Sequence, residues 1–150
     1  MKSNITFKGN NMSKKRAKDI LREYHEAWSS GDVEKGCSYY ADNLVVHMGG
    51  THPVLSRDFH GAKGFVEGWV NKVAAYTDKW IVGGEAGHDE LIAESDEAIL
   101  IMVHEIWARG DKQVRTDRLA AYRFENEQIV ECWFCDMRQA EVDAFFSGIR

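Results

Sequence analysis

The alternation pattern in the second half of the chain is the feature that most constrains its fold. Strand-like segments lie near residues 79–93, 96–109, 113–125 and 128–137. Turn sequences separate them at Ser95-Asp96, Gly110-Asp111 and Asn126-Glu127. Consecutive strands with such short connections pair antiparallel, because parallel neighbours need a long crossover. The second half is therefore predicted to form one sheet.

Helical periodicity dominates the first half. Residues 13–30 carry an amphipathic stripe of apolar and aromatic positions, at Ala17, Ile20, Leu21, Tyr24, Ala27 and Trp28. Further helices are predicted over residues 33–40, 61–76 and 139–146, a short strand over 44–48, and a loop that could cover a pocket over 49–60. Helices grouped ahead of an antiparallel sheet predict an α+β fold.

Composition excludes several classes of protein. A chain of 150 residues with 44% hydrophobic residues predicts one globular domain, here residues 13–150, preceded by a polar, flexible tail at 1–12. A net charge of −5 argues against nucleic acid as a partner. The longest apolar run, residues 98–103, is too short for a membrane span. Residues 1–12 lack the apolar stretch of a secretory signal, so a cytoplasmic location with reduced cysteines is expected.

Cys132 and Cys135 form a CxxC pattern within a strand-like segment. Reactive CxxC sites place the first thiol at a helix N-terminus, which lowers its pKa. On a strand, positions i and i+3 face opposite sides of the sheet. Two ordinary buried thiols are predicted here instead of a redox site.

Three stretches in order resemble the nuclear transport factor 2-like superfamily, especially its SnoaL-like polyketide cyclase and ketosteroid isomerase relatives. They are YHEAWSSGD at residues 24–32, ADNLVVHMGG at 41–50 with HGAKG at 60–64, and YRFENEQIVECW at 122–133. The resemblance covers roughly residues 13–147. It implies a cone-shaped, curved, antiparallel (mixed) β-sheet wrapped around the N-terminal helices, with an apolar pocket and homodimers packed through the sheets. It does not choose among isomerases, cyclases, dehydratases, hydrolases and binding modules.

His47 and Tyr24 are the first candidate catalytic residues. By the resemblance, His47 stands where ketosteroid isomerases place their general base, and Tyr24 stands where they place an oxyanion-hole tyrosine. The second oxyanion acid of those enzymes would fall at Ala120 or Ala121, so it is missing here. An imidazole can exchange a proton near neutral pH. Alternatively, His47 is only a hydrogen-bonded strand-end histidine, and Tyr24 only packs between helix and sheet.

His104 and Asp136 are the other catalytic candidates, and strand alternation leaves their orientation open. His104 shares a face with Leu100, Met102 and Ile106, and that face is expected to line the pocket. In the alternative, Ile99, Ile101, Val103, Glu105 and Trp107 face inward and His104 lies at a dimer face. Asp136 would need a partner if buried, which a histidine could supply, or it is an exposed strand-end residue.

The resulting hypothesis is acid–base catalysis on a small hydrophobic, oxygenated molecule. His47, Asp136, His104 and Tyr24 would be catalytic. Substrate-binding residues would be Trp28, Phe59, Phe65, Trp69, Met102, Phe134 and Arg118. Arg118 would bind a substrate carboxylate, or else form a surface or interface salt bridge. Neither a cofactor nor a metal is predicted. The rival hypotheses are a ligand-binding module without turnover and a dimeric scaffold.

Overall fold

A computed structural model describes residues 15–150 of the protein. The predicted tail at 1–12 lies outside the described residues. The helices are α1 (Ala17–Ser29), α2 (Val33–Cys37), α3 (Gly61–Phe65), α4 (Asn71–Tyr76) and α5 (Gln139–Phe145). The strands are β1 (Tyr40–Met48), β2 (Asp58–His60), β3 (Lys79–Val82), β4 (Glu90–Glu94), β5 (Ala98–Arg109), β6 (Lys112–Glu125) and β7 (Gln128–Asp136).

Helix α1 confirms the predicted amphipathic stripe. It buries Ile20, Leu21, Tyr24 and Ala27, which recur at the helical spacing read from the sequence. The helix ends before Gly31, whose φ of 79° lies in the left-handed region that favours glycine. Its buried face contributes Tyr24 to the core cluster shared with the sheet.

The helix predicted over residues 61–76 is present but is interrupted by a π-helical turn at Val66–Val70, between α3 and α4. The turn contains Gly68. A Cβ atom placed on Gly68 would lie 2.5 Å from Cε1 of the buried Phe59 ring. The absence of a side chain at this position therefore permits the close approach of the helix to Phe59.

We expect Gly68→Ala and Gly64→Ala to have opposite effects on stability. Gly68→Ala should lower the free energy of unfolding by about 1–3 kcal/mol, because the added methyl overlaps Phe59. Gly64 meets nothing within 4 Å, so Gly64→Ala should raise stability by roughly 0.5–1 kcal/mol through helix propensity alone. Urea unfolding of both variants measures the difference, and equal effects would show that the Phe59 contact is not tight.

The described strands form one curved, open, mixed sheet in the order β2-β1-β7-β6-β5-β3, with β4 also paired to β5. Strands β1 and β7 run parallel, and the other pairs are antiparallel. The predicted α+β architecture, with helices ahead of a curved mixed sheet, is confirmed.

Two details of the predicted order are corrected. The segment 49–60 is not entirely loop, because β2 at its end pairs with β1 and places Phe59 opposite Val46. The segment 79–93 is not one strand. Gly83, Gly84 and Gly87 all have positive φ, and the chain makes a 3-10 turn at Gly84–Ala86 between β3 and β4.

Of the two orientations of β5 that the sequence left open, the structure has the one given as the alternative. Ile99, Ile101, Val103, Glu105 and Trp107 are all buried. The antiparallel register sets Val103 opposite Arg118 on β6, and Arg118 opposite Asp136 on β7. Directly opposite residues share a face, so this row places charged side chains inside the fold.

The two cysteines of the CxxC pattern face opposite sides of β7, as predicted. Cys132 is buried, and burial raises the pKa of its thiol. Cys135 is exposed, so the prediction that both thiols are buried was wrong for Cys135. The alternation of the strand forces this difference.

Candidate functional site

An aromatic cavity of about 60 Å³ lies between α1, the interrupted helix and the inner face of the sheet. Its apolar lining comes mainly from aromatic rings and valines, and its polar lining from a histidine, a glutamate, an arginine and two tyrosines. The lining residues are Tyr24, His25, Trp28, Phe65, Trp69, Val70, Trp80, Val82, Val103, Glu105, Arg118, Tyr122 and Phe134. An apolar pocket with a few convergent polar groups is the usual form of a small-molecule site.

Arg118 holds two buried carboxylates together at one end of this cavity. Its Nε and Nη2 donate to the two oxygens of Asp136, at 3.1 and 3.2 Å, and its Nη1 lies 3.3 Å from Oε2 of Glu105. Thr116 Oγ1 donates to Asp136 Oδ1 at 2.6 Å. Trp80 Nε1 donates to Glu105 Oε1 at 2.7 Å. Each carboxylate therefore has a neutral donor as well as the shared guanidinium.

Aromatic rings surround the guanidinium. The Cζ atom of Arg118 lies 5.1 Å from the ring centre of Trp69, 5.3 Å from Trp107 and 5.5 Å from Phe134. These distances are within the range of cation–π attraction, which strengthens when water is excluded. The rings and the bidentate bond to Asp136 thus fix the direction of the side chain.

The charges in this cluster do not balance, because one cation faces two carboxylates. Burial raises the pKa of the Glu105 carboxyl above its ordinary value, although Arg118 and the Trp80 N–H partly oppose this. Burial disfavours the cation of Arg118, but Asp136 and Glu105 outweigh it and raise the guanidinium pKa. Glu105 is therefore easier to protonate than an exposed glutamate. Asp136 does not line the cavity and acts on it through Arg118.

His25 occupies the boundary between this cavity and an open groove of about 630 Å³. Its Nε2 lies 3.1 Å from the Tyr122 hydroxyl, and its Nδ1 lies 2.9 Å from Oδ2 of Asp89. Deeper in the core, the Tyr24 hydroxyl lies 2.7 Å from the Tyr40 hydroxyl. Burial raises the pKa of Tyr24, of Tyr40 and of Tyr122 well above the ordinary value, so all three are neutral hydroxyl groups near pH 7.

Comparison with protein families shows to which family the chain belongs. The family model of the SnoaL-like domain matches residues 21–132. The chain belongs to the SnoaL-like domain family. No match is found among curated protein sequences.

Solved structures similar to this SnoaL-like protein share its fold at low sequence identity. An NTF2-like protein of unknown function from Burkholderia pseudomallei is 20% identical, with a TM-score of 0.75, over 89% of this chain and 99% of that one. TerC, co-crystallized with polyporic acid, is 11% identical, with a TM-score of 0.70, over 86% and 97% of the two chains. IdmH, a candidate polyketide cyclase from Streptomyces antibioticus, is 14% identical, with a TM-score of 0.66, over 87% and 99%.

Most of the residues predicted to bind substrate line the cavity of this SnoaL-like protein. The structure brings together Trp28, Phe65, Trp69, Phe134 and Arg118, and the predicted catalytic residue Tyr24 lines the same cavity. Asp136 lies directly behind Arg118, so its partner is the guanidinium and not a histidine. Phe59 is buried against the interrupted helix but does not line the cavity.

His47 lies on the outer face of the sheet and does not line the cavity. It contacts Asp58 through Nδ1 and Glu131 through Nε2, both at 2.7 Å, and its ring stacks on Trp133 at 5.3 Å. Trp133 is itself 41% exposed. The catalytic role of His47 stays a prediction, and this position does not favour it.

His104 and Met102 also lie on the outer face, contrary to the expected orientation of β5. His104 contacts Asp117 at 2.6 Å and Glu90 at 2.8 Å, and neither His104 nor Met102 lines the cavity. Alternation places them opposite the buried set that includes Val103 and Glu105. Their proposed roles in the pocket therefore lack geometric support.

The pKa values of the two outer histidines are raised by the carboxylates around them. Burial opposes protonation, but the hydrogen bonds of His104 to Asp117 and Glu90 outweigh it, as do those of His47 to Glu131 and Asp58. A raised imidazole pKa stabilises the fold below the ordinary pKa of histidine. This stabilisation is lost as the pH rises through the folded-state value.

Replacing His104 by glutamine is therefore expected to lower stability more at about pH 5.5 than at about pH 8.5. The loss at the lower pH should be up to about 1 kcal/mol, since the carboxylate partners are partly exposed. Urea unfolding at both pH values checks this. His60→Gln serves as the control, because the exposed His60 makes no side-chain cap to α3 and should change stability little. A pH-independent loss in His104→Gln would contradict the assignment.

Glu105 and His25 are functional candidates that the sequence analysis did not select. Glu105 was among the residues of the alternative inner face, and a charged residue within an apolar strand is the signal that could have selected it. His25 lies inside the motif that carried the family resemblance, next to Tyr24. Its partner Asp89 lies 64 positions away, between β3 and β4, so local sequence gave no indication of the pair.

Within residues 15–150, no group of histidine, cysteine or acidic side chains is arranged to hold a metal ion. In the same part of the chain, no helix has the length and apolar character needed to cross a bilayer.

Proposed function

We propose that this SnoaL-like protein is an enzyme that transfers protons to and from a small hydrophobic, oxygenated molecule. The observation that carries the proposal is Glu105, a buried carboxyl in an aromatic cavity between the Trp80 N–H and the Arg118 guanidinium. A carboxyl group with a raised pKa in a cleft is typical of a catalytic acid or base.

Glu105 is the proposed general acid. Its raised pKa keeps more of the protonated form at a given pH than an exposed glutamate would have. Once Glu105 gives up its proton, its carboxylate faces Arg118, which stabilises the new charge. Removal of charge from water makes this attraction stronger than it would be at the surface.

Arg118 is the proposed stabiliser of negative charge on the substrate. A guanidinium has five N–H donors, and its contacts with residues 15–150 use one each from Nε, Nη1 and Nη2. In this proposal, the two N–H groups that make none of these contacts donate to a substrate oxygen. Their direction is fixed before substrate arrives, which is what preorganised electrostatic stabilisation requires.

The chemistry of the cavity wall supports an aromatic or alicyclic substrate. Trp28, Phe65, Trp69, Trp80 and Phe134 supply flat apolar surfaces, and Glu105 and Arg118 supply an acid and a cation. Two neighbours in fold fit this class, since TerC was crystallised with polyporic acid and IdmH is a candidate polyketide cyclase. The proposed substrate therefore has a hydrophobic ring system with a carbonyl, hydroxyl or ether oxygen.

The size of the cavity supports a second candidate function. Its volume of about 60 Å³ is below the roughly 300–1,000 Å³ of most small-molecule sites. A substrate must therefore enlarge it, for example toward the groove beside His25.

A nearly filled interior also suits a non-catalytic module that binds a ligand weakly or serves as a dimeric scaffold. The exposed Trp133 on the outer sheet face supports the predicted homodimer.

A turnover screen separates these functions. The full chain is incubated with three probe classes, namely hydrophobic cyclic ketones, β-hydroxy ketones and epoxides, and products are followed by mass spectrometry. Wild type should convert at least one class, while Glu105→Gln should convert it at least about 100-fold more slowly. Asp117→Asn, on the outer face beside His104, is the control and should remain active. Binding of the probes without turnover by wild type would favour the binding module.

A further inference from the structure

The contacts of His25 form a continuous chain from the open groove to the cavity. Asp89 lines the groove, Tyr122 lines the cavity, and His25 lines both. The two ring nitrogens of His25 face these two partners, at 2.9 Å from the Asp89 carboxylate and 3.1 Å from the Tyr122 hydroxyl. The side chain of His25 is only 13% exposed, so this series of contacts connects the groove to the cavity through a buried residue.

The chemistry of the partners determines which ring nitrogen of His25 carries the hydrogen. An ionised carboxylate can only accept a hydrogen bond, so Asp89 favours a hydrogen on Nδ1. Nε2 then presents its lone pair to the hydroxyl of Tyr122, which can donate to it. A carboxylate that fixes the ring form of a histidine is a common way of preparing an imidazole base.

We propose that His25 is the second proton-transferring residue of the cavity, with Asp89 as its positioning residue and the Tyr122 hydroxyl as its link to substrate. This inference rests on the proposed role of Glu105, because it supplies the base that a catalytic acid requires. It also gives the enzyme a path for proton exchange with water in the groove. Glu105 has no such path, because it is 95% buried.

The proton balance can be written for the enolisation of a ketone. The Tyr122 oxygen takes a proton from the carbon beside the carbonyl while its own proton passes to Nε2 of His25. The electron pair of the broken C–H bond forms the C=C bond, and the carbonyl oxygen takes the proton of Glu105. His25 ends as a cation beside Asp89, and Glu105 ends as a carboxylate beside Arg118. Each new charge thus faces an opposite charge. The site is reset when His25 returns its proton, through Tyr122, to another carbon or to water and Glu105 regains its own proton.

A matched pair elsewhere in the chain provides a control. His47 and Asp58 form a similar histidine–aspartate contact at 2.7 Å, but on the outer face of the sheet. Asp58 lines neither the cavity nor the groove beside His25. Asp58→Asn should therefore change a histidine–aspartate contact without changing catalysis.

The kinetic test uses whichever probe of the turnover screen wild type converts. His25→Gln and Asp89→Asn should each lower kcat by about 100-fold with little change in KM, and Asp89→Glu should restore most of the loss. Asp58→Asn should match wild type. Full activity of Asp89→Asn, or an equal loss in Asp58→Asn, would overturn the inference.

A spectroscopic test needs no substrate. In protein labelled with ¹⁵N-histidine, the long-range proton–nitrogen spectrum should show His25 with its hydrogen on Nδ1 in wild type. This preference should weaken in Asp89→Asn. A hydrogen on Nε2 in wild type would overturn the inference.

If Glu105→Gln is inactive while His25→Gln is fully active, only the role of His25 fails. If wild type converts no probe, the proposed function fails, and the spectrum still tests the positioning by Asp89.

Discussion

Replacing Arg118 by methionine is expected to lower the free energy of unfolding by about 3–5 kcal/mol at neutral pH. The guanidinium is buried, with 6% of its side chain exposed, and it is the cation shared by Glu105 and Asp136. Methionine fills much of the same volume but leaves two carboxylates without that cation. Thr116 and Trp80 supply only neutral donors, which do not compensate two buried charges.

The pH dependence of this loss separates charge from packing. In Arg118→Met the two carboxylates become easier to protonate, and protonation removes the uncompensated charge. The stability difference from wild type should therefore shrink as the pH falls from about 7 to about 4. A difference that stays constant with pH would show that lost packing against Trp69 and Trp107 dominates instead.

Arg123→Met is the matched control. Arg123 also contacts two carboxylates, Glu125 and Glu131, but 43% of its side chain is exposed. Exposed ion pairs contribute little to stability because water and salt screen them, so this variant should lose little stability. Urea unfolding of both variants at several pH values gives the comparison. Similar losses in the two variants would contradict a special role for the buried cluster.

Replacing Glu105 by glutamine is expected to lower kcat by about 10²- to 10⁴-fold on a probe that wild type converts. The amide has the shape of the carboxyl and can still accept the Trp80 hydrogen bond, but it cannot donate a proton as an acid. Arg118 keeps its bidentate bond to Asp136, so the variant should fold. KM should change by only a few fold, because the aromatic walls are unaltered.

The pH–rate profile adds an independent test of the acid. Since the pKa of Glu105 is raised, wild-type activity should persist above the usual range of a carboxyl group. It should then fall as the pH rises through the raised value and the acid form is lost. Residual activity of Glu105→Gln should lack this fall. Circular dichroism confirms folding, and retained wild-type kcat in a folded variant would remove Glu105 from the mechanism.

The sequence was informative about the site where residue type and local pattern sufficed. The helical stripe of residues 13–30 led to Tyr24 and Trp28. The helix predicted over residues 61–76 led to Phe65 and Trp69. All four residues line the cavity. It was uninformative where orientation mattered. Alternation divides β5 into two faces but is nearly symmetric here, because both faces are rich in apolar residues.

This ambiguity is why His104 was placed inward and Glu105 outward in the preferred prediction. Glu105 is buried because Arg118 and Trp80 compensate its carboxyl, and both partners come from other strands. No local rule identifies such a partner, since β6 and β3 meet β5 only through the register of the sheet. His47 shows the same limit, because the parallel pairing of β1 with β7 puts it beside Glu131 on the outer face.

The sequence by itself determined the class of fold, most of the order of its helices and strands and the aromatic character of its interior. These follow from local periodicity, because each helix or strand must bury its own apolar face. Only the tertiary structure decided which face of each strand is internal and which charged residues meet there. That decision depends on the register of β5, β6 and β7, which brings Glu105, Arg118 and Asp136 together across three strands.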